Sequence, residues 1–75
     1  MKRYTIAFPA EHVVARRFMA KPVEDWTTDE IAEVKADDEL TVWEDMTLAE
    51  IKAAAATSSN KHLKATAAHL EMYED

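Results

Sequence analysis

Two stretches twenty positions apart begin in the same way: Asp25-Trp26-Thr27-Thr28-Asp29-Glu30-Ile31 and Asp45-Met46-Thr47-Leu48-Ala49-Glu50-Ile51. In each, a threonine is followed three residues on by a glutamate, so hydroxyl and carboxylate can each satisfy a backbone N–H that the first helical turn leaves free. A large apolar residue, Trp26 or Met46, precedes the threonine, and an isoleucine lies four residues beyond it. That is the pattern of a hydrophobic staple, which fixes how the chain enters a helix. Helix starts at Thr28 and Leu48 therefore constrain the fold more than any other feature, and the remaining segments must fit around them.

Before the first start, Tyr4, Ile6 and Phe8 alternate with Arg3, Thr5 and Ala7, the period of two of a half-buried strand over residues 2–8. Pro9 removes a backbone donor and closes it. With no glycine in the chain, tight mirror-image hairpin turns are disfavoured and a longer turn through Ala10-Glu11-His12 is expected. Val13–Ala20 fits either a second strand or a helix begun near Pro9; β-branched and aromatic residues favour the strand. Lys21-Pro22-Val23 reads as a connection. The first helix runs from Thr28 to about Asp37, with Asp29, Glu30, Glu33 and Asp37 toward water. Leu40–Trp43 reads as a short third strand. The second helix continues through Leu48, Ile51 and the alanines 53–56. Ser58, Ser59 or Asn60 caps a third, whose face is Leu63, Ala67 and Leu70, with Tyr73 one turn further. The expectation is a small single α+β domain over residues 1–75, with two to three short antiparallel strands and three helices in the order β-β-α-β-α-α, the last helix packing across the sheet.

At 75 residues without cysteine, a single core supplies only about 3–5 kcal/mol and no disulfide can add to it. Self-association into a homo-oligomer, or a partner, is the expected supplement. No run approaches the roughly 18 apolar residues of a membrane span, and the N-terminus has no apolar segment behind its basic residues, so neither membrane anchor nor signal peptide is expected. A cytoplasmic location follows as an expectation, and the lack of cysteine fits a reducing compartment.

Catalytic signatures are missing. Phosphate-cradling loops and tight oxyanion turns usually need glycine, there is no cysteine nucleophile, and the only serines, Ser58 and Ser59, sit where a cap is expected. His62 and His69 are seven residues apart, too far for shared ligation on one helix, and Asp37-Asp38-Glu39 lacks the alternating ligands and glycine of a calcium loop. No enzyme activity, cofactor or metal is expected.

Charge is the informative signal. The net charge is −6, yet residues 1–23 carry five Lys/Arg against Glu11 alone, while residues 24–50 carry eleven Asp/Glu against Lys35 alone. Such a split concerns partner choice and steering rather than fold, and it also allows two copies to attract head to tail. Capping accounts for Glu30 and Glu50, and the helix-start field for Asp29. Glu24, Asp25, Glu33, Asp37, Asp38, Glu39, Glu44 and Asp45 have no local explanation. Together with Trp26 and Trp43, aromatics set among acids and hence candidate interface anchors, they form a candidate surface for a protein partner with a basic, ordinarily nucleic-acid-binding patch. In gross character, though by no motif, the chain is similar to the small acidic inhibitors that phages use against host defence or transcription machinery. That resemblance implies an anti-defence or host-takeover inhibitor or adaptor.

Residues 47–72 carry a second resemblance. Thr47-Leu48-Ala49-Glu50-Ile51, the small residues to Ala56, and Thr57-Ser58-Ser59-Asn60-Lys61-His62-Leu63 resemble a helix-turn-helix, which implies a DNA-binding regulator presenting Ser59, Asn60, Lys61 and Lys64 to the major groove. The turn has no glycine and Thr57 stands where an apolar residue usually packs, both departures from the pattern; the second helix has no arginine, the segment is neutral and the body is acidic, which opposes phosphate binding. Nucleic acid is the less expected partner.

Overall fold

A computed structural model describes residues 2–14 and 17–73. The alternating N-terminal segment is β1 (Arg3–Pro9), the middle strand of a three-stranded sheet. It pairs antiparallel on one side with β2 (Met19–Pro22) and on the other with β3 (Leu40–Thr47). Between the edge strands the chain makes a 3-10 turn (Val23–Asp25) and helix α1 (Thr28–Ala36). After β3 come α2 (Leu48–Thr57), α3 (Lys61–Leu70) and a closing 3-10 turn (Glu71–Tyr73). The α+β order expected from the sequence is thus the observed one.

Alternation along β1 gives the sheet two covered faces. Tyr4, Ile6 and Phe8 join Ile51 and Ala55 of α2 and Leu63, Ala67 and Leu70 of α3 in one buried cluster, with Trp43, Met46 and Leu48 packed at its margin. The opposite face carries the buried Thr5 and Ala7, and α1 lies there with Val34 as its buried residue. The alanine run is the reason α2 and α3 can pack closely: Ala55 is inside and its small neighbours leave room for the second helix. Burying a leucine or isoleucine side chain stabilises by roughly 1.5–3 kcal/mol, so Ile6, Ile51, Leu63 and Leu70 dominate the core.

Both capping boxes form. Thr27 Oγ1 accepts the Glu30 N–H at 3.1 Å while Glu30 Oε1 accepts the Thr27 N–H at 3.1 Å. Thr47 Oγ1 accepts from Glu50 N at 3.2 Å and Glu50 Oε1 from Thr47 N at 2.9 Å. Asn60, one of the three candidates, caps α3, its Oδ1 accepting the N–H groups of His62 and Leu63.

Two elements differ from the sequence reading. A second strand over Val13–Ala20 followed by a connection through Lys21 and Pro22 is corrected to a strand over Met19–Pro22; residues 15 and 16 lie outside the described residues. Val13 closes a turn on the Ala10 carbonyl at 3.0 Å, and its own carbonyl hydrogen-bonds the His62 ring at 2.9 Å, which keeps it out of the ladder. Pro22 is tolerated because it ends an edge strand, where the missing donor is harmless. The third strand is longer than Leu40–Trp43 because it carries a bulge. Tyr4 pairs with Met46 and Ile6 with Trp43, so Glu44 and Asp45 together oppose Thr5. Asp45 takes φ 57°, which aspartate tolerates better than most residues. Its N–H donates to Thr5 Oγ1 at 3.3 Å, and Arg3 Nε holds its carboxylate at 2.6 Å.

Candidate functional site: the acidic face

The ten residues singled out from the sequence divide into two groups. Glu24 and Asp25 lie exposed in the 3-10 turn, Glu33 is exposed on α1 beside Arg17 and Met19, and Asp38 is in the turn that follows. None of these four carboxylates, nor that of Asp29 on α1, has a hydrogen bond or ion pair among the described residues. Asp29 and Glu33 are four apart and share one side of the helix. The turn, α1 and its C-terminal loop thus carry these five carboxylates on exposed positions, α1 lying on the sheet face opposite α2 and α3.

The other six have structural work. Asp37 caps the end of α1, its N–H donating to the Val34 carbonyl, and its Oδ1 accepts the Glu39 N–H at 2.9 Å. Glu44 pairs with Lys35 at 3.0 Å and Asp45 with Arg3. Trp43 lies edge-on to Phe8, ring centroids 5.1 Å apart, at the margin of the core. Trp26 is half-buried, its indole N–H donating to the carbonyls of Thr5 at 2.9 Å and Lys21 at 3.2 Å, so its ring is pinned across the β1–β2 pair. Lys21 Nζ lies 5.0 Å from that ring's centroid and bonds Glu30 at 2.7 Å. Hydrogen bonds from Lys21 and then from the Thr27 backbone hold the Glu30 carboxyl below the usual glutamate range. Sequence alone could not separate these two groups, because the cations that meet Glu44 and Asp45, Lys35 and Arg3, are brought to them by the fold.

A cleft of about 280 Å³ opens within this face, lined by Thr5, Val23, Trp26, Thr28, Ile31 and Glu44 among others. Val23 is 42% exposed there. This apolar notch escaped the sequence reading, which treated Val23 as part of a connection; the only signal for it was its place beside Glu24, Asp25 and Trp26.

The helix pair α2–α3 uses its polar residues internally. Asn60 Nδ2 donates to the Pro9 carbonyl at 3.2 Å in addition to its capping role, and the Ser59 hydroxyl donates to Glu11 at 2.7 Å. Lys64 Nζ donates to the Ala55 carbonyl at 2.9 Å, satisfying the C-terminal turn of α2. Lys61 is exposed. His62 bonds the Val13 carbonyl, and His69 stacks edge-on between Phe18 and Tyr73. Among the described residues no group of three His, Asp or Glu side chains converges to hold a metal ion, and no helix is long and apolar enough to cross a membrane. Comparison with protein-family models, with curated proteins and with solved structures finds no match.

Proposed function

We propose that this chain is a protein-binding module of inhibitor or adaptor type, in the manner of the small acidic phage inhibitors it resembles in gross character, and that it occupies a basic, nucleic-acid-binding surface of its partner. The observation that carries this reading is the set of five exposed carboxylates, Glu24, Asp25, Asp29, Glu33 and Asp38, without a direct ion pair among the described residues, while Glu30, Glu44 and Asp45 each have one. Like charges left together repel, and a surface selected only for solubility would mix signs. An incoming basic surface removes that repulsion, and long-range attraction accelerates the encounter. Support also comes from the helix pair, where Ser59, Asn60 and Lys64, three of the four groups a major-groove reader would present, bond within the chain.

The test is affinity capture at low salt, with the variant Glu24→Lys/Asp25→Lys/Glu33→Lys/Asp38→Lys as control and duplex DNA as competitor. Asp37 is kept because it caps α1. A partner held by the native chain, lost with the variant, and associating more slowly as salt rises supports the reading. Tight binding to duplex DNA that is abolished by Lys61→Glu, or a partner indifferent to both salt and charge reversal, refutes it.

A further inference from the structure

We infer that the cleft lined by Val23, Trp26, Ile31 and Glu44 receives an arginine side chain from the basic surface of the protein partner; the inference rests on the acidic-face reading above and names the side chain at its centre. At about 280 Å³ the cleft falls just below the roughly 300–1,000 Å³ of small-molecule pockets, and it suits one long side chain. Its lining combines the apolar Val23, Trp26 and Ile31 with the hydroxyl-bearing Thr5, Thr27 and Thr28. Val23 is 42% exposed, Ile31 is half-buried, and the Trp26 ring cannot turn away because its N–H is bound to two strand carbonyls. A ring fixed beforehand loses little conformational freedom when something packs on it, which favours affinity.

The walls select the charge of the guest. Glu44 lines the cleft, and Glu24 and Asp25 follow Val23 directly in the chain with no cation of their own among the described residues. A purely apolar guest would strip water from the Glu44 carboxylate without replacing it. An aliphatic stem ending in a cation satisfies both parts, the stem against Val23 and Ile31 and the head toward Glu44. Arginine fits better than lysine, because its planar, weakly hydrated guanidinium stacks on aromatic rings and can bond a carboxylate through two N–H groups at once. Lys21 already lies beside the indole, but Glu30 at 2.7 Å matches its charge, so a second cation is not repelled by an unbalanced one. Glu44 meets Lys35 through Oε2 at 3.0 Å in a half-exposed pair, and an ionised carboxylate has acceptor sites for both partners.

The experiment titrates the full chain with nona-arginine and with nona-lysine at about 0.15 M salt, following the Trp26 indole N–H and the Val23 and Ile31 methyls by NMR. Nona-arginine is expected to move these signals saturably and to bind more tightly than nona-lysine. Val23→Ala, at an exposed turn position, should weaken nona-arginine roughly three- to tenfold and nona-lysine, which seats less well, by a smaller factor. Glu44→Gln should reduce the preference for arginine. If nona-arginine binds and is lost on Glu24→Lys/Asp25→Lys, but Val23→Ala has no effect and the Trp26 signal stays still, the cleft assignment falls while the acidic-face reading stands. If neither peptide binds, or binding ignores the charge reversals, both are overturned.

Discussion

Removing the hydroxyl at each of the two matched helix starts should have unequal consequences. Thr27 is exposed, and water can replace its bond to the Glu30 amide once alanine is substituted. Thr47 is 9% exposed. Its hydroxyl accepts the Glu50 N–H at 3.2 Å and donates to Glu50 Oε1 at 3.1 Å, and the helix it starts places the fully buried Ile51 one turn later. Losing a cap costs about 0.5–2 kcal/mol, and the upper part of that range belongs where the orphaned amide is shielded from solvent. Thr27→Ala is therefore expected to destabilise by about 0.5–1 kcal/mol and Thr47→Ala by about 1.5–2 kcal/mol. With roughly 4–8 °C per kcal/mol for a domain of this size, the Thr47 variant should melt about 10 °C lower and the Thr27 variant about 4 °C lower. Urea titration of native chain, both alanine variants and Thr47→Ser measures this, with m-values compared to confirm that the unfolded states match. Equal losses at the two sites would refute the reasoning. So would a Thr47→Ser variant as damaged as Thr47→Ala, since the γ-methyl would then matter more than the hydroxyl.

Leu70 is fully buried, and Leu70→Ala should cost about 2–5 kcal/mol. That is comparable with all the stability a core of this size supplies, so near-UV circular dichroism should show a largely unfolded chain, whereas Met72→Ala, 78% exposed, should be neutral. Stability should also depend on pH through the caps. Backbone and then hydroxyl hydrogen bonds from Thr47 lower the Glu50 pKa, and Lys21 with Thr27 lowers that of Glu30. Folded pKa values below the unfolded ones give stabilisation that is present above the ordinary glutamate pKa of about 4.3 and is lost as pH falls through the folded values. Glu50→Gln and Glu30→Gln should each flatten that acid-side decline in denaturant midpoints. Lys52, raised by its hydrogen bond to Glu71, has the opposite sign, its contribution vanishing only as pH rises through its folded value.

Local signals carried the helices, and non-local pairing decided what the sequence left open. Capping chemistry lies within four residues, so the starts at Thr28 and Leu48 could be read directly. The extent of β3 could not, because Glu44 and Asp45 are poor strand formers that enter the ladder only through a bulge opposite Thr5. β2 was displaced for a similar reason: Val13 has every local mark of a strand residue, yet its carbonyl is taken by His62 on α3. At the acidic face, composition identified the carboxylates but not which of them meet Lys21, Lys35 or Arg3. The two tryptophans, alike in sequence context, proved to serve the core margin and the β1–β2 pair.

Of the three strands, the first to be synthesised is the one that needs both others. β1 can bond nothing in its final arrangement until β2 has emerged, and its second edge waits for β3, which follows only after α1. At roughly 5–20 residues per second of synthesis that is a delay of several seconds, during which Tyr4, Ile6 and Phe8 form an apolar segment with at least one open edge. Contacts so distant in sequence also slow folding from the unfolded chain. Deleting residues within Arg3–Pro9 would leave β2 and β3 with no shared neighbour. A segment that carries none of the chain's acidic residues therefore sets whether the acidic face exists as a surface.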